Sequence, residues 1–249
     1  MMRARQQMPK QGTRMTDNLG EIISGFTPPP HPKGISLQGA HILIEPLDDA
    51  KHGAQLFAAK QRDVSGDNWT YLPYGPFADE VAYRTWLRAQ QEGDDPCFFA
   101  MIDPATQQAV GIASFLRIDQ ANGVIEVGHI HFSPLLQRTT ASTEALFLMM
   151  QWAFEQGYRR YEWKCDALNA PSRRAAQRLG LSYEGIFRQM MISKGRNRDT
   201  AWFAAIDKEW PALQQAFLTF LSADNFTSDG VAIQSLSSLT APLLYQRDR

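Results

Sequence analysis

The sequence predicts a mixed α+β domain on one central, mostly antiparallel sheet flanked by helices. Three observations predict it. Strand-like runs at 97–102, 109–118 and 124–132 follow one another with turn signals between them, as in an antiparallel ladder. A strongly apolar helix at 145–154, a strand-like run at 160–165 and a short helix at 172–179 come next, the rhythm of a crossover returning to the sheet. Two further runs, 183–193 and 200–206, with Gly195-Arg196-Asn197 between them, read as a closing hairpin.

Ahead of this core, residues 1–36 are polar and Pro-rich. Pro28-Pro29-Pro30 and Pro32-Lys33-Gly34 break regular structure, so the stretch reads as a flexible arm. Arg3, Arg5, Lys10 and Arg14 stand there without an apolar segment, which is not the pattern of a secretory signal. The acid-free first sixteen residues are closer to a transit peptide, and Met15 is an alternative start. A first strand fits His41 to Glu45. Asp48 starts a helix to about Lys60, and Asp79 caps a second that carries Val81, Trp86 and Leu87 at helical spacing. Between them, Trp69 to Phe77 is aromatic and turn-rich, hence a loop. Asn122-Gly123 is a hairpin signal. Ala145, Leu148, Met149 and Trp152 form one stripe of the long helix, which stops near Gly157. Trp210-Pro211 opens a last helix through about Leu221. The expected organisation is an arm over 1–36, one domain over 37–222, and a tail or clasp over 223–249, where periodicity is lost.

Hydrophobic residues make up 44% of the 249, enough to bury a sizeable core. Lys plus Arg number 25 and Asp plus Glu 26, so no basic field favours nucleic acid or an anionic membrane. The longest apolar run, near Ala145 to Met150, is too short to cross a bilayer. Cys97 and Cys165 read as buried thiols in a reducing cytoplasm rather than a disulfide. No Cys/His cluster stands at ligand spacing, so no metal is expected.

The stretch Gln137 to Ala145 carries the strongest hint of chemistry. It links a strand ending at Ser133-Pro134 to the long helix. A tight loop of this kind points free N–H groups, backed by the helix dipole, at whatever lies above the helix start, which suits a phosphate. No Gly-Lys-Ser/Thr follows it, so a nucleotide-hydrolase P-loop is excluded.

Five segments in register resemble one family. They are Gln137 to Ala145, Asp166 to Ala176, Arg178 to Leu181, Tyr183 to Arg188, and Gly195 to Thr200. Over roughly residues 37–210 their order and spacing are similar to the GCN5-related N-acetyltransferase (GNAT) superfamily, in its RimJ/RimL-like branch of ribosomal-protein acetyltransferases. The resemblance implies a splayed sheet with acetyl-CoA between two parting strands. It places the cofactor against Phe132 and Ser133 at the strand end and against the loop residues Gln137, Arg138, Thr139, Thr140, Ala141 and Ser142. Arg138, Arg173 and Arg174 would offset phosphate charge. Gln137 matches the family's first loop position, whereas Thr140 stands where a glycine is expected and Ser142 where Gly or Ala is usual.

Acetyl transfer from a thioester needs a deprotonated amine, a stabilised carbonyl oxygen and a protonated thiolate. By the same resemblance, Asn169 bonds the pantetheine arm and Ser172 reaches the sulfur. Asn169-Ala170-Pro171-Ser172 also fits a plain helix cap. Glu126, among apolar neighbours on the strand before the loop, is the candidate general base with a raised pKa; its structural alternative is an exposed strand residue or a partner for His129 or Arg117. His129 and His131 are alternatives, expected by period two on the opposite face of the strand. The reading is a cytoplasmic acetyl-CoA-dependent N-acetyltransferase, monomer or homodimer, acting on a protein N-terminus or a small-molecule amine. Its alternative is a non-catalytic acyl-CoA-binding or regulatory module with a degenerate pyrophosphate loop.

Overall fold

The computed structural model describes residues 19–248. Its backbone forms one eight-stranded sheet. The strands are β1 (Leu37–Gln38), β2 (Leu43–Pro46), β3 (Cys97–Asp103), β4 (Gln108–Asp119), β5 (Val124–Phe132), β6 (Arg160–Asp166), β7 (Ser182–Ser193) and β8 (Arg196–Ile206). They lie in the order β1-β2-β3-β4-β5-β6-β8-β7, antiparallel except at β5–β6, which run parallel. The helices are α1 (Asp49–Lys60), α2 (Glu80–Gln91), α3 (Thr140–Glu155), α4 (Ala170–Arg178), α5 (Trp210–Leu221) and α6 (Leu236–Thr240).

The sheet separates two apolar clusters. On one face Ile125, Val127, Trp163 and Phe203 pack under α3, α4 and α5. On the other, Phe98, Ala100 and Ile112 pack under α1 and α2 with Leu56, Trp69, Tyr83 and Leu87. β4 lies between them and is buried over nearly its whole length, which explains its continuous apolar run.

Local chemistry starts the helices where the sequence places them. The Asp48 carboxylate accepts from Ala50 N–H and the Asp79 carboxylate from Ala82 N–H. Asp49, buried in the first turn of α1, pairs with Arg84 (2.9 Å) and Arg88 (2.8 Å) of α2 and binds the two helices together. The inward stripe of α2 is set by Tyr83 and Leu87, while Val81, expected on it, is 73% exposed because it lies in the uncovered first turn. The long helix begins five residues before the apolar run, at Thr140, because Thr139 caps it. α3 is apolar around much of its girth. It stacks Phe147 on Phe217 and Phe154 on Trp210 of α5, and its buried Glu144 accepts from the N–H groups of Ala40 and His41.

Of the arm, residues 1–18 lie outside the described residues; the part described lies against connecting turns, with Glu21 paired to Lys208 and Phe26 against Gly123. Pro29 and Pro30 offer carbonyls to Gln120 (2.7 Å) and the Tyr158 hydroxyl (3.0 Å). At the other end, α6 buries Leu236 and Thr240, and the chain beyond continues along α4. Cys97 and Cys165 are free and buried, and burial pushes both thiols up to about 11. No helix of the described residues is long and apolar enough to cross a membrane.

Candidate active site

β5 and β6 are paired only from Val124↔Arg160 to Val127↔Trp163. Beyond that point each strand stays with its other neighbour: β5 with β4 as far as Phe132↔Gly111, and β6 with β8 as far as Asp166↔Thr200. The sheet therefore forks, and the facing backbone edges of Gly128–Phe132 and Lys164–Asp166 lack a strand partner. Backbone donors and acceptors inside a protein require partners, so such a slot suits a ligand with amide groups of its own.

The start of α3 belongs to the loop that leaves β5. Ser133 organises the turn: its carbonyl accepts from Leu136 N–H (2.9 Å) and Gln137 N–H (3.0 Å), and its own N–H bonds Val110. Gln137 is consumed by this architecture. Its side-chain amide donates to Asn68 Oδ1 (2.7 Å) and to the Phe132 carbonyl (2.8 Å), so no donor of Gln137 is left for a phosphate. Phe132, Ser133 and Gln137 fasten the loop to the strand end. Thr139 caps α3, accepting from Ser142 N–H (3.1 Å) and donating to Leu136 O (2.7 Å). Ser142 returns its hydroxyl to the Thr139 carbonyl (2.7 Å). The N–H groups of Arg138, Thr139, Thr140 and Ala141 find no acceptor among the described residues. The left-handed residue is Arg138 (φ 60°), while Thr140 is helical. A β-carbon at Thr140 thus meets no backbone objection.

On the sheet face opposite α4, the fork carries charge. Glu126 is 2% exposed, yet its neighbours are not the apolar ones expected. It takes Arg117 Nε at 2.7 Å and Lys164 Nζ at 2.9 Å on one oxygen, and Arg117 Nη2 at 3.2 Å on the other. Lys164 also pairs with Glu162 (2.7 Å) and lies over the Trp202 ring. Glu162 meets Arg160, which continues to Glu184. Arg160, Glu162 and Lys164 alternate along β6, a period-two charge pattern visible in the sequence that would have marked this cluster.

The histidines lie on the Glu126 face, not the opposite one. Ser114 stands across from Gly128 and Ile112 from His131, so β5 spends three residues where β4 spends two. The extra residue is a β-bulge with His129 at φ 51°, and it reverses the alternation. His129 Nδ1 meets the Tyr74 hydroxyl at 3.0 Å, and His131 stacks on Trp69. Burial, helped at His129 by Arg117, lowers both imidazoles to about 4, so both are neutral near pH 7. The aromatic loop crosses the mouth of the fork: Tyr71 hydroxyl donates to Leu168 O (3.1 Å), and Lys194 from the β7–β8 turn donates to Trp69 O (2.7 Å).

On the α4 face, Asn169 Oδ1 accepts from Ser172 N–H (3.1 Å), the helix cap foreseen in the sequence. Ser172 Oγ accepts from Trp163 Nε1 (2.9 Å), and Trp163 belongs to the last paired position before the fork. Ser172 and Glu126 thus flank the fork from its two faces. Arg174 is exposed. Arg173 is bound to Asp248 and to the Ala167 carbonyl.

Residues 41–182 match the acetyltransferase (GNAT) domain family. The chain belongs to this family. It is an acetyltransferase of the GNAT fold, and GNAT acetyltransferases use acetyl-CoA. A crystal structure of a GCN5-related N-acetyltransferase from Brucella melitensis is 46% identical, with a TM-score of 0.85 over 88% of this chain and 100% of that one. A GNAT-family protein from Chromobacterium violaceum ATCC 12472 is 41% identical, with a TM-score of 0.73 over 78% and 97%. The uncharacterized N-acetyltransferase YnaD of Bacillus subtilis (strain 168) is 25% identical over 56% of this GNAT chain and 81% of its own. RimL, a ribosomal L7/L12 alpha-N-protein acetyltransferase, shares the fold at 17% identity (TM-score 0.59, 69% of this chain and 94% of that one).

Proposed function

We propose that this GNAT protein moves the acetyl group of acetyl-CoA to a primary amine by direct attack on the thioester. The observation that carries the reading is the fork beyond Val127↔Trp163, with the open N-terminal turn of α3 following from its β5 arm. The residues present fit the cofactor: an unpaired backbone slot suits the pantetheine amides, and four N–H groups at a helix start suit the pyrophosphate. Bound there, acetyl-CoA supplies the activated acyl group.

The chain's own groups do the rest. The N–H groups of Arg138, Thr139, Thr140 and Ala141 bind phosphate oxygens, with Arg138 and Arg174 adding charge. Asn169 holds the start of α4 and faces the pantetheine. Ser172 accepts from Trp163 Nε1 through its oxygen, and its hydroxyl proton, which also reaches the Cys165 thiol, would be delivered to the departing thiolate. Glu126 Oε1 receives a single hydrogen bond, from Arg117, and retains a lone pair that takes the amine proton through water. The acceptor is a protein N-terminus or a small-molecule amine, entering on the face of the aromatic loop, and the protein works in the cytoplasm, where its two thiols stay reduced.

The test is calorimetric titration with acetyl-CoA followed by a thiol-release assay over amines and peptide N-termini. Micromolar binding and turnover on one acceptor class are expected. No binding at millimolar cofactor defeats the proposal, and binding without turnover on any amine makes the protein an acyl-CoA-binding module. Ser172→Ala should lower kcat more than it raises the KM for acetyl-CoA; intact turnover in that variant removes the proton-delivery role.

A further inference from the structure

α4 is an unusual support for a cofactor. It is nine residues long, and of these only Ala176 is buried, so neither its own length nor a buried face fixes where its first turn stands. Its position comes from contacts outside the helix: Trp163 bonds Ser172 and Thr143 bonds Arg178, and a further set comes from the last residues of the chain. Thr240 Oγ1 donates to the Arg178 carbonyl (3.0 Å), at the end of α4. The chain then runs back along the helix. Tyr245 N–H donates to Ser182 Oγ (2.8 Å) and the Gln246 carbonyl accepts from Tyr183 N–H (3.0 Å), which holds it to β7. Asp248 N–H donates to Gln177 Oε1 (3.0 Å).

The contact that reaches the cofactor end is charged. The Asp248 carboxylate, 7% exposed, takes Arg173 in a bidentate pair, with Nε at 2.6 Å. The same guanidinium donates from Nη1 to the Ala167 carbonyl (2.8 Å), in the loop that carries Asn169. A planar guanidinium sharing its donors between a carboxylate and a carbonyl holds both in fixed geometry. One side chain therefore ties the loop before α4, the turn containing Ser172, and the chain terminus.

We propose that Asp248 is a positioning residue for acetyl-CoA, acting through Arg173 to hold Asn169 and Ser172 at the fork. Residues 241–248 are on this view a strap that completes the cofactor site without touching the cofactor. The inference rests on the proposed use of α4 in acetyl-CoA binding.

Asp248→Asn preserves shape and removes the charge. A displacement of about 1 Å at a site costs up to about 100-fold, so the KM for acetyl-CoA should rise by about tenfold or more. The KM for the amine should stay within about twofold, and the Tm should fall by no more than about 4 °C, the shift that accompanies about 1 kcal/mol in a chain of this size. Asp248→Glu, which keeps the charge, should recover most of the loss, and a chain ended after Leu243 should reproduce it. An unchanged KM for acetyl-CoA overturns the proposal. So does tighter binding, which would mean that the terminus masks Arg173 as a phosphate ligand. A parallel rise in both KM values with a large loss of Tm would reduce the strap to general stability and also overturn it. Absence of acetyl-CoA binding by the wild-type chain defeats the functional reading instead, so the two failures are told apart.

Discussion

Lys164 is the side chain whose role is set most completely by its surroundings. Its amine is buried, shared between Glu126 and Glu162, and covered by Trp202. Removing Lys164 leaves Glu126 with Arg117 and Glu162 with Arg160, but one buried negative charge in excess, so the cost should lie below the about 3 to 5 kcal/mol of a fully stranded buried charge. Lys164→Met should therefore destabilise measurably in urea unfolding, and adding Glu126→Gln should return part of the loss rather than deepen it. The histidines make a separate prediction. Their folded pKa of about 4 lies below the ordinary 6.5, so the unfolded chain binds protons that the folded chain refuses. Stability from these groups is fully present above pH 6.5 and is lost as the pH falls toward 4, at up to about 3 kcal/mol per imidazole. Urea unfolding followed from pH 7 to 4 should show this slope, and His131→Phe should flatten it. Sequence reading locates Glu126, both histidines and, as one alternative, the Arg117 partner of Glu126, but not the rest of its company. Lys164 comes from β6, and no local pattern around Glu126 names it.

At the scale of elements, signals confined to a few residues were legible: the caps at Asp48, Asp79 and Asn169, the turn at Asn122-Gly123, and the strand–loop–helix order around Gln137. What a short window could not carry was the destination of a side chain, as with Gln137, which turns back to Phe132 and Asn68. The cap at Thr139 makes two local bonds, so Thr139→Ala should cost about 1 kcal/mol in chemical denaturation. Thr140→Trp should leave stability nearly unchanged, because Thr140 is not buried, yet abolish acetyl-CoA binding by filling the space before the free N–H groups. Micromolar binding by that variant would move the phosphate site elsewhere.

The whole molecule was readable in its order of elements, since the strands and helices follow the GNAT succession from β2 to α5. The terminal segments were less so, because their contacts are irregular and long-range: Pro30 to Tyr158, Asp248 to Arg173. A ligand that binds only the folded chain stabilises all of it, by about 2.7 kcal/mol at a hundredfold excess over Kd. Saturating acetyl-CoA should then raise the Tm by roughly 5 to 10 °C, and an unmoved melting curve at millimolar cofactor would count against the proposed site. The bulge at His129 has its own bearing on how this chain tolerates change. Substitution along β5 alters one contact at a time, but straightening the bulge at full length would act as a spatial frameshift. Everything downstream as far as Phe132 would exchange faces, driving Ile130 and Phe132 toward Trp69 and pushing both imidazoles into the cluster beneath α3. The left-handed turn at His129, more than the identity of its neighbours, is the property that this strand must conserve.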